Sequence, residues 1–368
     1  MYIGKFPEFY VDVTKEATKI PQEQYHTMGR YPIIDQGQKS IAGMWDNPEG
    51  LYEKVPAIVF GDHTRAIKYV DTPFFIGADG VKVLRPVDEE DNVKYLFYVL
   101  QAARIPNLGY SRHFKAVKEL EIRMYPRKKQ DEIVRVLEQV DNLIGQRQNE
   151  IMQMDQLVKS RFVELFGSIN NQSYPVVKIG SCAKLQGGFA FKSADYLDDG
   201  IRLVQISNVN KDTLDWDGIN YVPQAFLQKY KDFELHVGDL VLAMTRPVIK
   251  SLDAVKIATV SENDVPSLLN QRVGRFVIDK TKLNSVYLML SCQMPKFKEY
   301  VEAMSGNSLQ PNISSKQVEE YSIVLPPLAL QEEFAAFVSE VDKSKLAVKQ
   351  SLEKLETLKK SLMQQYFG

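Results

Sequence analysis

The feature that most constrains this chain is a stretch of about forty residues that occurs twice, at 126–167 and at 327–368. One constant offset pairs identical residues across the two copies, among them Gln130 with Gln331, Lys159-Ser160 with Lys360-Ser361, and Phe166-Gly167 with Phe367-Gly368. Two copies are too few for a solenoid, which stacks at least three repeats. The chain therefore alternates variable and repeated segments, and this order indicates a protein built from two equivalent halves.

Each repeated segment has the apolar pattern of a long helix. Apolar residues recur every three or four positions from Ile133 to Val158, with the polar Arg147 at one such position. They recur again from Phe334 to Leu362, where Lys345 and Lys359 interrupt the series. This spacing is typical of helices that pair in a coiled coil. Each copy begins after proline and ends at glycine. We predict two antiparallel helices of roughly thirty-odd residues, each about 50–60 Å long. Such a pair would return Gly368 to the first variable segment, in a pseudo-two-fold, cyclic arrangement.

The variable segments, residues 1–125 and 168–325, mix short β-like runs with turns, and each closes on a helix and a strand. The fold class that this pattern predicts is α+β. The expected strands lie at 57–60, 82–84, 120–124, 201–206, 239–244, 275–278 and 321–325, and the expected helices at 95–104 and 286–294.

Composition indicates a globular protein and limits its chemistry. Apolar residues make up 44% of the chain and charged residues 25%, as in ordinary globular proteins. The net charge of −1 counts against nucleic acid unless basic residues gather on one face. Cys182 and Cys292 form no CxxC pair, so neither a zinc site nor a disulfide framework is expected. With no membrane-spanning run and no signal-peptide pattern, we expect a cytoplasmic protein that does not contact the membrane.

Motifs for catalysis are absent from the sequence. There is no Walker phosphate loop, no HExxH helix and no GxSxG elbow. The Asn/Asp-Pro-Pro-Tyr/Phe string and the glycine-rich cofactor loop of adenine methyltransferases are also missing. We therefore predict no catalytic residues, no metal and no cofactor.

Four local patterns carry a resemblance to a known family. They are the GGFAFKS string from Gly187, the RLVQISNV string from Arg202, the Pro-Pro-x-x-x-Gln entry from Pro326 to Gln331, and the repeated helices. With them the chain resembles, over essentially its whole length, the specificity subunit of type I restriction-modification enzymes. It is short for that family, and its first segment has Gly29–Gln38 in place of a GGFAF string.

The resemblance implies target-recognition domains at 1–125 and 168–325, separated by helical spacers at 126–167 and 326–368. Each domain would read one half of a bipartite, asymmetric site in double-stranded DNA. The resemblance also implies that the subunit itself is not an enzyme. Two methyltransferase subunits would dock on the helices, around Gln130 and Gln331, and restriction subunits with nuclease and translocase activity would complete the complexes that cut DNA.

Candidate DNA-binding residues follow from side-chain chemistry, because Arg and Lys suit guanine whereas Asn and Gln suit adenine. Those of the first domain are Gln36, Gln38, His63, Thr64, Arg65, Lys68, Tyr110, Arg112 and His113. Those of the second are Phe191, Lys192, Gln205, Asn208, Asn210, Thr245, Arg246, Asn307 and Ser308.

Two other function classes remain open at this point. The first is a coiled-coil scaffold whose two globular ends bind proteins. The second is a DNA-modifying enzyme that acts alone. Salt-dependent binding to one bipartite duplex would distinguish a DNA reader from a protein scaffold, since counterion release is a property of nucleic-acid binding.

Overall fold

The computed structural model describes residues 1–77, 79–109, 111–167, 174–306 and 310–368. The chain divides into two compact units. Unit 1 comprises Met1–Glu150 and Val348–Gly368, and unit 2 comprises Ile151–Ala347. Each unit therefore contains part of both repeated segments.

Unit 1 is an α+β structure that leads into the first long helix. Its strands are β1 (Tyr2–Lys5), β2 (Tyr10–Asp12), β3 (Tyr31–Ile34), β4 (Gly43–Trp45), β5 (Ala57–Gly61), β6 (Ile67–Val70), β7 (Phe75–Ile76), β8 (Val81–Pro86) and β9 (Glu121–Met124). Its helices are α1 (Phe6–Phe9), α2 (Val93–Ala102), α3 (Phe114–Val117) and the start of α4 (Arg127–Phe166).

Unit 2 repeats this order with additional short elements. Its strands are β10 (Val176–Lys178), β11 (Ala183–Gly187), β12 (Ile201–Val204), β13 (Tyr221–Val222), β14 (Glu234–Leu235), β15 (Leu240–Ala243), β16 (Val248–Ile249), β17 (Ala254–Val255), β18 (Ile257–Thr259), β19 (Ser267–Leu269), β20 (Val273–Ile278) and β21 (Ser322–Val324). Its helices are α5 (Ala225–Lys229), α6 (Ser285–Gln293), α7 (Pro295–Ser305), α8 (Ser315–Glu320) and the start of α9 (Leu328–Phe367).

The two units share one sheet plan. Unit 1 has an antiparallel sheet in the order β2-β8-β5-β6, and unit 2 has one in the order β11-β20-β15-β18. A second sheet pairs β3 with β7 in parallel in unit 1, and β12 with β19 in parallel in unit 2. The central strands β5 and β15 are buried at every residue, which explains why their sequences read as continuous apolar runs.

The long helices pack antiparallel within each unit. In unit 1, Asp141 of α4 pairs with Lys359 of α9 at 2.7 Å. In unit 2, the ring of Phe162 of α4 lies 5.6 Å from that of Phe334 of α9, and Asp155 pairs with Lys345. At 40 residues each, the helices are longer than predicted and span roughly 60 Å. The predicted α+β class, with two β-rich parts and two packed helices, is confirmed.

The sequence located the central elements better than their ends. The helix predicted at 95–104 spans Val93–Ala102, and the strand predicted at 201–206 ends at Val204. Gln205 begins a turn that closes through Asn208, whose backbone N–H donates to the Gln205 carbonyl at 3.0 Å. Within the described residues, no helix is long and apolar enough to cross a bilayer.

Candidate nucleic-acid interface

The candidate residues of unit 1 gather at one end of the sheet, in the turn that joins β5 to β6. The N–H of Asp62 donates to the carbonyl of Gly80, at the start of β8, at 2.7 Å. Within the turn, Thr64 donates from its hydroxyl to the carbonyl of Gln36. The Gln36 side chain in turn accepts from the N–H of His63 at 3.3 Å. Gln36, His63 and Thr64 therefore form one hydrogen-bonded cluster.

His113 is buried behind this turn and fixes the loop that precedes it. Its Nδ1 lies 2.8 Å from the carbonyl of Asp62, and its Nε2 lies 3.0 Å from the N–H of Leu108. A carbonyl can only accept and an N–H can only donate, so the ring is the neutral tautomer with the proton on Nδ1. Both nitrogens are used, and we assign His113 a structural role. Its neighbour Arg112 has a side chain that is 73% exposed, 4.0 Å from the Asp62 carboxylate.

The other basic candidates of unit 1 differ in availability. Lys68 donates to the carbonyl of Asp35 at 2.7 Å and forms an ion pair with its carboxylate at 3.3 Å. Burial lowers the pKa of Lys68, and Asp35 opposes that shift. Arg65 has a left-handed backbone, with φ of 61°, and donates to the carbonyl of Ile105 at 3.2 Å. Gln38 is exposed and lines, with Arg65, an open cleft of about 820 Å³.

The matching edge of unit 2 is built on the same backbone contact. The N–H of Met244, after β15, donates to the carbonyl of Arg272, before β20, at 2.8 Å. The hydroxyl of Thr245 donates to the side chain of Asn312 at 2.7 Å. Arg246 is exposed, with φ of 48°. The two units thus form equivalent sheet edges that carry different side chains.

The GGFAF string of unit 2 supports the sheet rather than the surface. The N–H groups of Gly188 and Phe189 donate to Val273 and Leu269, both at 3.0 Å. A Cβ on Gly188 would lie 2.2 Å from the carbonyl oxygen of Asn270, so only glycine fits. Phe191 is buried, and its ring lies 5.0 Å from that of Phe189. These rings are core, whereas Lys192, the next residue, is exposed.

The amide candidates of unit 2 are largely used within the fold. Asn208 is fully buried at 0% exposure, accepts from the N–H of Gln205 at 3.0 Å and donates to the carbonyl of Asp215 at 2.9 Å. Gln205 itself binds the amide of Asn220 at 2.7 Å. Asn210 accepts from the N–H of Lys211 at 2.9 Å. We assign Asn208 a structural role, because its side chain is fully buried and its amide oxygen and nitrogen both bind the backbone.

Gln130 and Gln331 fasten the start of each long helix to its own unit. Gln130 is 1% exposed; it accepts from the N–H of Asn92, the N-cap of α2, and donates to the carbonyl of Tyr125. Gln331 is 0% exposed; it accepts from the N–H of Asn284, the N-cap of α6, and donates to the carbonyl of Pro326. Because both amides are buried, a partner docking on the helices needs other residues.

Sequence reasoning missed three polar residues at the edge of unit 2. Gln271 and Arg272 are exposed between β19 and β20, and Lys256 precedes β18. The available signal was a polar Asn-Gln-Arg triplet between the apolar runs of two strands. The candidates Tyr110, Asn307 and Ser308 lie outside the described residues. Among the described residues, no group of three or more His, Cys, Asp or Glu side chains could hold a metal ion.

Comparison with known proteins identifies the family. The sequence model of the type I restriction modification DNA specificity domain matches residues 11–153 and 171–358. The chain is 27% identical, over 98% of its length and 90% of the relative's, to the type I restriction enzyme MjaVIII specificity subunit of Methanocaldococcus jannaschii. It is also 28% identical, over 45% of its own length, to the EcoAI specificity subunit of Escherichia coli.

Solved structures share the fold. The S subunit of a type I restriction-modification system from M. genitalium matches 100% of this chain at a TM-score of 0.61 and 16% identity, with 96% of that structure covered. A second match, at a TM-score of 0.53 and 15% identity, covers 100% of this chain and 97% of a chain from a study of complex assembly and conformational transition in the type I R-M system. Together with the family match over most of the sequence, this places the chain in the type I restriction-modification specificity-subunit family, the non-catalytic component that determines DNA target recognition.

Proposed function

We propose that the two units are separate readers of one bipartite, asymmetric DNA site, with target-recognition domains at 1–125 and 168–325 and helical spacers at 126–167 and 326–368. The observation that carries this proposal is the repeated sheet edge. The contact from Asp62 to Gly80 in unit 1 recurs from Met244 to Arg272 in unit 2, both as backbone hydrogen bonds. One scaffold with two sets of side chains suits two half-sites of different sequence.

Exposed donors at these edges would reach base edges in the grooves. In unit 1, Gln38 and Arg112 are exposed and Arg65 is half-buried at the rim of the cleft. In unit 2, Lys192, Arg246 and Gln271 are exposed. Arginine pairs with guanine through two parallel hydrogen bonds and glutamine pairs with adenine in the same way, so either edge could distinguish bases.

Single substitutions test the modular assignment in the complete methyltransferase complex. We expect Arg65→Ala to relax one half-site only and Arg246→Ala to relax only the other, because each lost base contact costs about 1–3 kcal/mol. The measurement is sequencing of the methylated adenines in cellular DNA. Arg65→Lys and Arg246→Lys serve as matched controls, since they keep the charge and lose the paired donors. A change in the half-site of unit 2 caused by Arg65→Ala would contradict the assignment.

We further propose that two methyltransferase subunits bind, one on each copy of a repeated surface. Among the residues shared by the two helices, three pairs are exposed in both copies: Leu157 with Leu358, Lys159 with Lys360, and Ser160 with Ser361. Leu157 is 51% exposed and Leu358 46% exposed. Identical exposed residues at equivalent positions are what two copies of one partner would require.

The mass of the assembled complex tests this stoichiometry. Wild-type protein should bind two methyltransferase subunits, Leu157→Glu or Leu358→Glu should each bind one, and the double variant none. Leu346→Glu is the matched control, because Leu346 is 57% exposed on α9 and its counterpart in α4 is Gly145, so it is not repeated. A wild-type complex with one or three methyltransferase subunits would refute the proposal.

We also propose that restriction subunits join the complex and that it works in the cytoplasm, where it meets cellular and incoming DNA. Family membership supports both statements. Cleavage of unmodified DNA that depends on this chain would be the decisive observation for the presence of restriction subunits in the complex.

A further inference from the structure

Three cations meet at one end of the main sheet of unit 2. Arg246 follows β15, Lys256 precedes β18 and Arg272 precedes β20. Backbone hydrogen bonds hold the three segments together: Met244 donates to the carbonyl of Arg272 at 2.8 Å, and Ala243 to the carbonyl of Lys256 at 3.0 Å. The three positive charges therefore share one small region at the edge described above.

No carboxylate of the described chain balances this cluster. None of the three side chains forms an ion pair within 4.0 Å among the residues that the structure describes. Lys256 donates instead to the carbonyl of Ile206 at 3.1 Å, and Arg272 to the side-chain oxygen of Asn312 at 3.3 Å. Residues 307–309 are Asn, Ser and Leu, so they bring no acid. Burial lowers the pKa of Lys256, and the charge of Arg246 lowers it further.

Other half-buried lysines of this protein are paired with acids. Lys298 forms ion pairs with Asp253 and Glu302, at 2.6 and 3.2 Å, and Lys82 forms one with Asp12 at 3.0 Å. Partial burial of a cation is costly unless a partner balances it. A cluster of three cations without an acid therefore leaves positive charge unbalanced within the fold, and this charge suits an anion from outside.

We propose that Lys256 and Arg272 form a phosphate anchor that grips the DNA backbone beside the half-site of unit 2. The inference rests on the proposed function and specifies the type of contact made at that edge. The Lys256 ammonium has two further N–H groups and Arg272 most of its planar fork, and phosphate oxygens accept both. Such contacts position a protein without reading sequence. Arg246, the exposed third member, remains free to reach a base.

At the equivalent edge of unit 1, two cations have an acid beside them, and Arg65 donates to the carbonyl of Ile105. Arg112 lies 4.0 Å from Asp62, and Lys68 is paired with Asp35 at 3.3 Å. The anchor is thus a property of unit 2 alone. It also explains how a chain with a net charge of −1 can bind a polyanion, because the local charge rather than the sum acts on the phosphates.

The test is the salt dependence of binding by the complete chain with its methyltransferase subunits. The probe is a random-sequence duplex of roughly 40 base pairs, about four helical turns. For each of Lys256→Met and Arg272→Gln, we expect the slope of log affinity against log salt to be shallower by about one. A four-fold rise in salt should then weaken binding about three- to four-fold less than in the wild type.

Lys280→Gln is the matched control. Lys280 is exposed just beyond the opposite end of β20, so the same loss of charge there should leave the slope unchanged. Thermal unfolding gives a second readout. Removal of an unbalanced cation should leave the melting temperature of Lys256→Met equal to or above that of the wild type, whereas a structural lysine would lower it.

Two results would overturn the proposal. One is that both cluster variants keep the wild-type salt slope. The other is that the variants bind the methylated target sequence more weakly but bind random-sequence DNA as the wild type does, which would make the residues base readers. Failure of the proposed function looks different. In that case the wild-type complex would show no sequence preference. The salt slopes of the wild type and of the variants on the random duplex could still be compared with each other.

Discussion

Buried amides show how single residues fix the ends of the long helices. Gln130 and Gln331 occupy equivalent positions, and each binds the N-cap residue of a neighbouring helix, Asn92 or Asn284. The sequence revealed the equivalence of the two glutamines but not their burial. Identical residues in a repeat are equally consistent with a shared partner and with a shared packing contact, and only the fold separates these causes.

Removal of either amide should destabilise the protein. We expect Gln130→Ala and Gln331→Ala each to lower the free energy of unfolding by about 2–3 kcal/mol, because buried N–H and carbonyl partners lose their hydrogen bonds. Urea denaturation measures the change. Gln350→Ala, at an exposed position of α9, should change it by less than about 0.5 kcal/mol. Full stability of Gln331→Ala with loss of the methyltransferase subunit would instead indicate a docking role.

Side-chain chemistry in the sequence selected residues that lie near one another at one edge of each unit, but it could not show which of them the fold already uses. His63, Thr64 and Arg65 lie together in one turn, as their adjacency suggested. His113 and Asn208 carry equally suitable groups, yet both side chains are buried and bind the backbone carbonyls of Asp62 and Asp215, respectively. Asp62 lies fifty-one residues from His113, and Asp215 lies seven residues from Asn208. The local sequence pattern around either side chain therefore does not predict its partner.

At the scale of elements, buried central strands were predictable and short paired strands were not. β5 and β15 are runs of apolar residues. By contrast β7 has two residues and exists because it pairs in parallel with β3. A strand this short has no measurable periodicity, so its position depends on contacts distant in sequence.

The helix pair contains a polar contact that the apolar pattern of the repeated segments only partly indicated. Lys359 interrupts the apolar seam of α9 and pairs with Asp141, which also accepts from the hydroxyl of Tyr98 at 2.8 Å. Burial, followed by this hydrogen bond, raises the pKa of Tyr98. The contact requires Asp141 and Lys359 to face each other, and we infer that it helps to specify the alignment of the helices.

Exchange of the charges tests that role. Asp141→Lys or Lys359→Asp alone should lower the free energy of unfolding by about 1–3 kcal/mol, because each places like charges together. The double exchange should recover most of the loss in urea denaturation. Lys343→Ala, which breaks an exposed pair with Glu340 on α9, should change the free energy by less than about 1 kcal/mol. No recovery in the double variant would show that the pair does not set the register.

At the scale of the whole molecule, the repeat gave the correct architecture whereas net charge was a poor guide. Repetition at a fixed offset is a global property that a sequence displays directly. Net charge sums over ion pairs that cancel inside the fold, such as Lys82 with Asp12, and conceals where charge is left unbalanced. The charge of −1 therefore could not reveal the cluster at the edge of unit 2.

The length of the helices should set the spacing of the half-sites. Paired readers usually hold their half-sites about 34–36 Å apart. Insertion of four residues after Glu150 and after Ser351 adds roughly 6 Å to each helix, close to two base pairs of DNA at about 3.4 Å each. Mapping of methylated sites should show the same half-site bases with a spacer longer by one to two base pairs. An unchanged spacer with full methylation would exclude the helices as the ruler.

The left-handed backbone of three arginines has a consequence for how far this protein can be stabilised. Among the described residues, Arg65, Arg246 and Arg272 are three of the five non-glycine positions with positive φ. Glycine fits such turns without the roughly 1 kcal/mol that another residue costs there. Each Arg→Gly variant should therefore unfold at higher urea and bind duplex DNA more weakly, while Arg→Ala should lose binding without that gain. Selection of this chain for thermal stability alone would favour glycine at these turns, at the expense of the base contacts proposed for Arg65 and Arg246 and of the phosphate contact proposed for Arg272.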